Sequence, residues 1–121
     1  MTTFKQKCQQ LTKKVGSWKT ARDSMAVHMG VHRLEVTRML AGMQRVDEAK
    51  LAGIVERPAY PGYVTVATMA QHMNCRRQNV HQRIKHGSLT APEHEEGREV
   101  WRGEEYRHIW EGVYHEQTTA Q

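Results

Sequence analysis

Histidine and cysteine are the residue types in this sequence that can both bind metals and act in catalysis. The 121 residues include eight histidines and two cysteines. His28 and His32 lie on either side of a predicted turn, and His72, Cys75 and His81 lack the spacing of a zinc site. No Ser/His/Asp order and no glycine-rich phosphate loop is present. We therefore predict no bound metal, no cofactor and no enzymatic activity.

Basic and amide side chains recur in an internal repeat. Residues 25–40, MAVHMGVHRLEVTRML, align with residues 69–84, MAQHMNCRRQNVHQRI, at an offset of 44 residues and with six identical positions. Gly30 is matched by Asn74, the residue type that after glycine most readily holds a left-handed turn. Each copy therefore predicts two helices joined by a sharp corner.

The apolar positions of each copy support this corner. Ala26 and Ala70 are small enough to let two helices cross closely, and Val36 and Val80 would hold the second helix against the first. This is the helix-turn-helix pattern, in which the outer face of the second helix is left to enter a major groove of about 12 Å.

The second helix of each copy carries the side chains expected to contact base edges. Arginine suits the O6 and N7 atoms of guanine, and glutamine or asparagine suits the N6 and N7 atoms of adenine. The first copy offers His32, Arg33, Glu35, Thr37 and Arg38, and the second offers Arg76, Arg77, Gln78, Asn79, His81 and Gln82. Backbone phosphates would be contacted by Lys13, Lys14, Lys19, Gln44, Arg45, Arg83 and Lys85. Arg98, in a predicted hairpin, completes the DNA-binding set.

Two family resemblances cover most of these residues. Residues 20–56 resemble the lambda-repressor/Cro-like (XRE) helix-turn-helix family through the Gly-Val turn, the Val-Thr-Arg stretch, the Leu-Ala-Gly end and the Val-Asp-Glu-x-x-Leu segment. Residues 63–110 resemble the winged helix-turn-helix of excisionases and MerR-type regulators. This likeness rests on the Tyr-x-Thr entry, Arg-Gln-x-Val, Ile-Lys-x-Gly-x-Leu and a Gly-Arg hairpin that ends in Val-Trp-Arg. The resemblances imply tandem DNA-binding units, the second with a β-wing.

The second copy departs from its family at several positions. Asn74 replaces the usual turn glycine, Arg76 the usual serine N-cap, and Arg83 a common tryptophan. The hairpin is rich in glutamate, at positions 93, 95, 96 and 99. Phosphates would repel these carboxylates, which puts deep insertion of the wing into DNA in doubt and leaves open a protein partner at this end.

Charge is segregated along the chain, whose net charge is +5. Residues 1–62 hold 11 Lys/Arg against 5 Asp/Glu, and no acidic residue occurs between Arg57 and Pro92. Residues 93–116 reverse the balance, with 8 acids against 3 arginines. A basic body with an acidic end is consistent with a polyanionic partner.

The predicted fold class is mainly α, with two helix-turn-helix units and a small two-stranded β-wing on the second. The predicted division is 1–58, 59–114 and a flexible tail 115–121, with the Pro58–Gly62 linker at the boundary. Helices are predicted over 4–15, 20–29, 33–40, 47–55, 66–73, 76–86 and 104–114, a short strand or capping entry over 63–66, and hairpin strands over 89–91 and 99–101. Trp18, Trp101 and Trp110 are assigned to core packing.

These observations predict a sequence-specific regulator of transcription that binds double-stranded DNA. The family resemblance assigns it to a phage, a plasmid or another bacterial mobile element. Two alternatives remain: an architectural DNA-binding factor of the excisionase or terminase small-subunit type, and an antirepressor-like module that binds proteins. A homodimer is also left open. The absence of a signal sequence and of an apolar run of roughly 20 residues predicts a cytoplasmic, nucleoid-associated protein without a membrane partner.

Overall fold

The computed structural model describes residues 3–115 of the chain, so the predicted tail lies outside the described residues from position 116 onward. Two compact units divide at Pro61/Gly62. The fold is mainly helical, with a small antiparallel sheet in the second unit. Among residues 3–115, no helix has the length and apolarity needed to cross a membrane.

The first unit contains three α-helices, and two of them have the predicted bounds. These are α1 (Phe4–Val15) and α3 (Arg33–Leu40). The helix between them, α2 (Trp18–Met29), begins two residues before the predicted start at Thr20, because the Ser17 hydroxyl caps it by accepting a hydrogen bond from the Thr20 amide.

The fourth predicted helix of this unit is wrong in its extent. Asp47 does cap a helical turn, but only a 3₁₀ turn over Glu48–Leu51 follows. Ala52 leaves the helical conformation at φ −59° and ψ 128°, and Gly53 has φ +75°. Leu51 is nevertheless fully buried, so this segment still contributes to the core.

The core of the first unit lies between α1 and α2. Four residues spaced three or four apart bury one stripe of α1: Phe4, Cys8, Leu11 and Val15. On α2, Ala21, Met25 and Met29 are buried. Trp18, assigned to packing, instead has 40% of its surface exposed.

The second unit begins with a strand that runs directly into a helix. Strand β1 (Tyr63–Thr65) precedes α4 (Val66–His72), and Thr65 is both the last strand residue and the helix cap, accepting a hydrogen bond from the Thr68 amide. Helix α5 (Arg77–Lys85) follows and is one residue shorter than predicted at each end.

The sheet corrects the prediction of a two-stranded wing. Strand β2 (Glu93–Glu95) lies later in the chain than the predicted strand at 89–91, and β3 (Arg98–Arg102) pairs with it through a turn at Glu96-Gly97. Both turn residues have positive φ, 51° and 79°, as the commonest two-residue hairpin turn requires. Strand β1 also pairs with β3, so the sheet has three strands in the order β1-β3-β2.

The last helix closes the core of the second unit. The predicted helix 104–114 is a 3₁₀ turn over Glu104–Tyr106 followed by α6 (Arg107–Tyr114). Trp110 is fully buried, and its ring lies 4.4 Å from that of Tyr114. The Tyr114 and Thr68 hydroxyls are 2.9 Å apart, which joins α6 to α4. Trp101 on β3 is also buried, as expected for a packing residue.

Candidate nucleic-acid interface

The two copies of the repeat form corners with the same backbone hydrogen bonds. The Val31 amide donates to the Ala26 carbonyl over 2.9 Å, and the Cys75 amide donates to the Ala70 carbonyl over 3.0 Å. Between these residues, Gly30 has φ 73° and Asn74 has φ 53°. The left-handed turn predicted at both positions is confirmed. Each corner satisfies carbonyls that a helix end would otherwise leave without partners.

Packing then holds the second helix of each pair in place. Val36 on α3 and Val80 on α5 are fully buried. Ala26 and Ala70, on the preceding helices, are also buried, at 4% and 6% exposure. One apolar face of α3 and of α5 is thus fixed, and the opposite face is directed to solvent.

The start of α3 is held by three polar side chains that were predicted to contact DNA, His32 and Glu35 at bases and Gln44 at a phosphate. His32 caps the helix, since its Nδ1 atom accepts a hydrogen bond from the Leu34 amide over 3.1 Å. Glu35 accepts one from the His32 amide over 3.1 Å and another from the Gln44 side chain over 3.0 Å. The bond from Gln44, and secondarily that from His32, lowers the pKa of Glu35 below its usual value. These three side chains position the helix.

Three side chains make up the exposed stripe of α3. Leu34, Thr37 and Arg38 are exposed and lie three and four residues apart, so they share one face of the helix. The buried residues Val36 and Met39 lie on the other side. Leu34, with 52% of its surface exposed, was absent from the predicted site. It was missed because the prediction considered only charged and polar side chains. Its position beside Arg33 and one turn before Arg38 could have identified it.

The corresponding stripe of α5 is polar throughout. Gln78, His81 and Gln82 occupy the positions that match Leu34, Thr37 and Arg38, and all three are exposed. Within α5, whose residues are all described, only Val80 is buried. The other predicted contact residues at this helix are exposed as well, namely Arg76, Arg77, Asn79, Arg83 and Lys85. Arg76, the cap residue, makes no side-chain capping hydrogen bond.

The β2–β3 hairpin is linked to α5 by a side-chain hydrogen bond. His81 Nε2 lies 2.9 Å from Glu99 Oε1 on β3. Glu95 on β2 is contacted by Arg102, whose Nε atom donates over 2.8 Å, and this pairing raises the pKa of Arg102. Glu95 and Glu99 thus each have a hydrogen-bond partner within the unit.

Arg98 is held against an aromatic ring. Its guanidinium carbon lies 5.0 Å from the centre of the Tyr63 ring, that of Arg102 lies 5.3 Å from it, and Arg98 donates a hydrogen bond to the Tyr63 hydroxyl. Cation–π contacts of this kind stabilise a partly desolvated arginine. Arg98 is only half-exposed, so its place in the DNA-binding set is less accessible than that of the α5 residues.

The predicted phosphate-contacting residues of the first unit are spread over several elements. Lys13 and Lys14 are exposed in the last turn of α1, and Lys14 donates a hydrogen bond to the Glu56 carbonyl over 3.1 Å. Arg45 is exposed after α3, whereas Lys19 on α2 is half-buried. All four residues lie outside α3 in the sequence. Their assignment as phosphate contacts rested on charge alone.

The same unit has an open groove of about 630 Å³, lined mainly by α1. The exposed Trp18 and the aliphatic side chain of Leu40 form part of its wall, and Lys5 and Lys13 also line it.

Comparison with protein-family models, with curated proteins and with solved structures gave no match. The resemblance to two DNA-binding families therefore rests on the sequence motifs alone.

Proposed function

We propose that the protein binds double-stranded DNA at specific sequences and regulates transcription. In this proposal α2–α3 and α4–α5 are helix-turn-helix units, with α3 and α5 as the helices that enter the major groove. The observation that carries the proposal is the shared corner at Gly30 and Asn74, which presents a solvent-directed second helix in both units. The mobile-element source remains a proposal from the family resemblance.

The side chains on α5 have the chemistry that base reading requires. Gln78 and Gln82 offer a donor and an acceptor in one amide, which suits adenine, and Arg77 suits guanine. The stretch from residue 58 to residue 92 has no acidic side chain that phosphates would repel. A helix of this composition, buried through Val80 alone, is well suited to lie in a groove lined by phosphates.

The hairpin supports this proposal as a candidate wing beside α5. The contact between Glu99 and His81 places β3 next to the helix that would read bases. Because Glu95 is paired with Arg102, part of the hairpin's negative charge is compensated within the unit. Phosphate repulsion by this element is correspondingly reduced.

Selection of bound duplexes from a random pool is the direct test, run on the intact chain and on variants. Arg77→Ala should lose about 1–3 kcal/mol on the preferred site and relax preference at one or two base pairs. Arg33→Ala should do the same at different base pairs if both units contact one duplex. Lys13→Ala is the matched control, since a phosphate contact should weaken binding to all sequences alike.

The outcomes separate the alternatives. If Arg33→Ala leaves the selected motif unchanged while Arg77→Ala alters it, only the second unit reads sequence. If no duplex is bound at moderate salt, the proposal is wrong and the module that binds proteins is favoured. Strong bending of a bound duplex without a selected motif would instead favour the architectural factor.

A further inference from the structure

Leu34 is the apolar member of an otherwise polar face. It lies in the first turn of α3 with 52% of its surface exposed, next to the exposed Thr37 and Arg38. A single exposed leucine is common on protein surfaces and needs no special explanation. Here, however, the matching position of the second unit is the polar Gln78, so only the first of the two proposed reading faces has an apolar side chain at this position.

The backbone at Leu34 is held by a reciprocal cap at the start of α3. Its amide donates to His32 Nδ1 over 3.1 Å, and the His32 amide donates to Glu35 over 3.1 Å. Gln44 then holds Glu35 from the segment after the helix, over 3.0 Å. A reciprocal cap of this kind fixes the first turn, so Leu34 projects from a defined backbone position.

The leucine side chain has no hydrogen-bond donor or acceptor, so it can distinguish base pairs only by contact with an apolar group on the base. On the base edges of the major groove that group is the C5-methyl of thymine. We infer that Leu34 packs against the C5-methyl group of one thymine and makes the first unit selective for a 5-methylpyrimidine. Arg38, one turn further along the same face, would contact a guanine close to that thymine. This inference rests on the proposed function.

The test replaces single thymines by deoxyuridine in the duplex selected by the intact protein. The replacement removes one methyl group and leaves base pairing unchanged. At one position, the intact protein should lose about fourfold in affinity, which corresponds to the burial of one methyl group. Leu34→Ala should bind the thymine and deoxyuridine duplexes equally at that position, and Leu34→Met, which keeps an apolar side chain, should retain the difference.

Val27→Ala is the matched control. Val27 lies on α2 with 53% of its surface exposed, so this variant removes a comparable apolar surface outside the α3 stripe and should keep the deoxyuridine effect. Leu34→Ala should also melt at the same temperature as the intact protein, because the side chain is exposed.

Three results would overturn the inference while leaving the proposed function in place. The intact protein could select a motif but show no deoxyuridine effect at any thymine, or Leu34→Ala could keep the full effect. Alternatively, Leu34→Ala could weaken all duplexes alike and change the oligomeric mass, which would assign Leu34 to a contact between chains. Failure of the intact protein to select any duplex would contradict the proposed function itself.

Discussion

Asn74 holds the backbone conformation that glycine provides in the first unit. Its φ of 53° lies in the left-handed region, where a side chain usually costs about 1–2 kcal/mol and asparagine costs less. Gly30, at φ 73°, makes the equivalent turn without a side chain. The same corner is therefore reached by two residue types, and the difference can be measured at a single position.

We expect Asn74→Gly to leave the free energy of unfolding unchanged or slightly higher, because relief of strain offsets the greater freedom of glycine in the unfolded chain. Asn74→Ala should lose about 1 kcal/mol, since alanine has no side-chain group that favours the left-handed turn. Urea denaturation measures both, with Gly30→Ala as the matched variant in the first unit. A clear loss of stability in Asn74→Gly would contradict the role assigned to this turn.

At the scale of the element, each pair of helices depends on one small residue. Ala26 and Ala70 are buried at matching positions of α2 and α4, one turn before the corner. A larger side chain there would push the second helix away from the first, and the protein interior has little free volume to absorb it.

Replacement of either alanine by leucine should therefore lower the free energy of unfolding by about 1–3 kcal/mol. The controls are the neighbouring exposed positions, since Val27→Leu and Gln71→Leu add volume outside the core and should change stability by less than about 0.5 kcal/mol. Thermal denaturation followed by circular dichroism distinguishes the pairs. Equal melting temperatures for Ala70→Leu and Gln71→Leu would argue against a close crossing of α4 and α5.

On the scale of the whole molecule, the distribution of charge predicts how binding responds to salt. The half before residue 63 has 11 basic against 5 acidic residues, and the exposed face of α5 adds further basic groups. Basic groups that contact phosphates release condensed cations, so the observed affinity falls as salt increases.

We expect the affinity for duplex DNA to fall steeply between about 50 and about 200 mM salt, with a slope of about 0.9 for each phosphate contacted. Lys13→Ala should lower this slope by about one, whereas Gln10→Ala, an exposed neutral residue on the same helix, should leave it unchanged. Fluorescence anisotropy of a labelled duplex measures the slope. An affinity that does not change with salt would contradict the electrostatic part of the proposal.

The features that could be predicted from the sequence are local. The bounds of α1 and α3, the corners at Gly30 and Asn74 and the exposed polar residues of α5 follow from helical periodicity and from the backbone preferences of a few residues. Such signals act over one or two helical turns, so they can be recognised without knowledge of the fold. The polar members of the candidate site were predicted for this reason, and the apolar Leu34 was not.

Features that depend on contacts between separate parts of the chain could not be predicted from the sequence. The pairing of Val64 with Trp101 adds a third strand to the hairpin, and a strand of three residues gives no sign of its partner. The contact of His81 with Glu99 and the use of Glu35 and Gln44 to hold the start of α3 likewise depend on side chains brought together by folding. Each of these side chains has many possible partners in the sequence. Which partner it contacts is decided only when the chain packs.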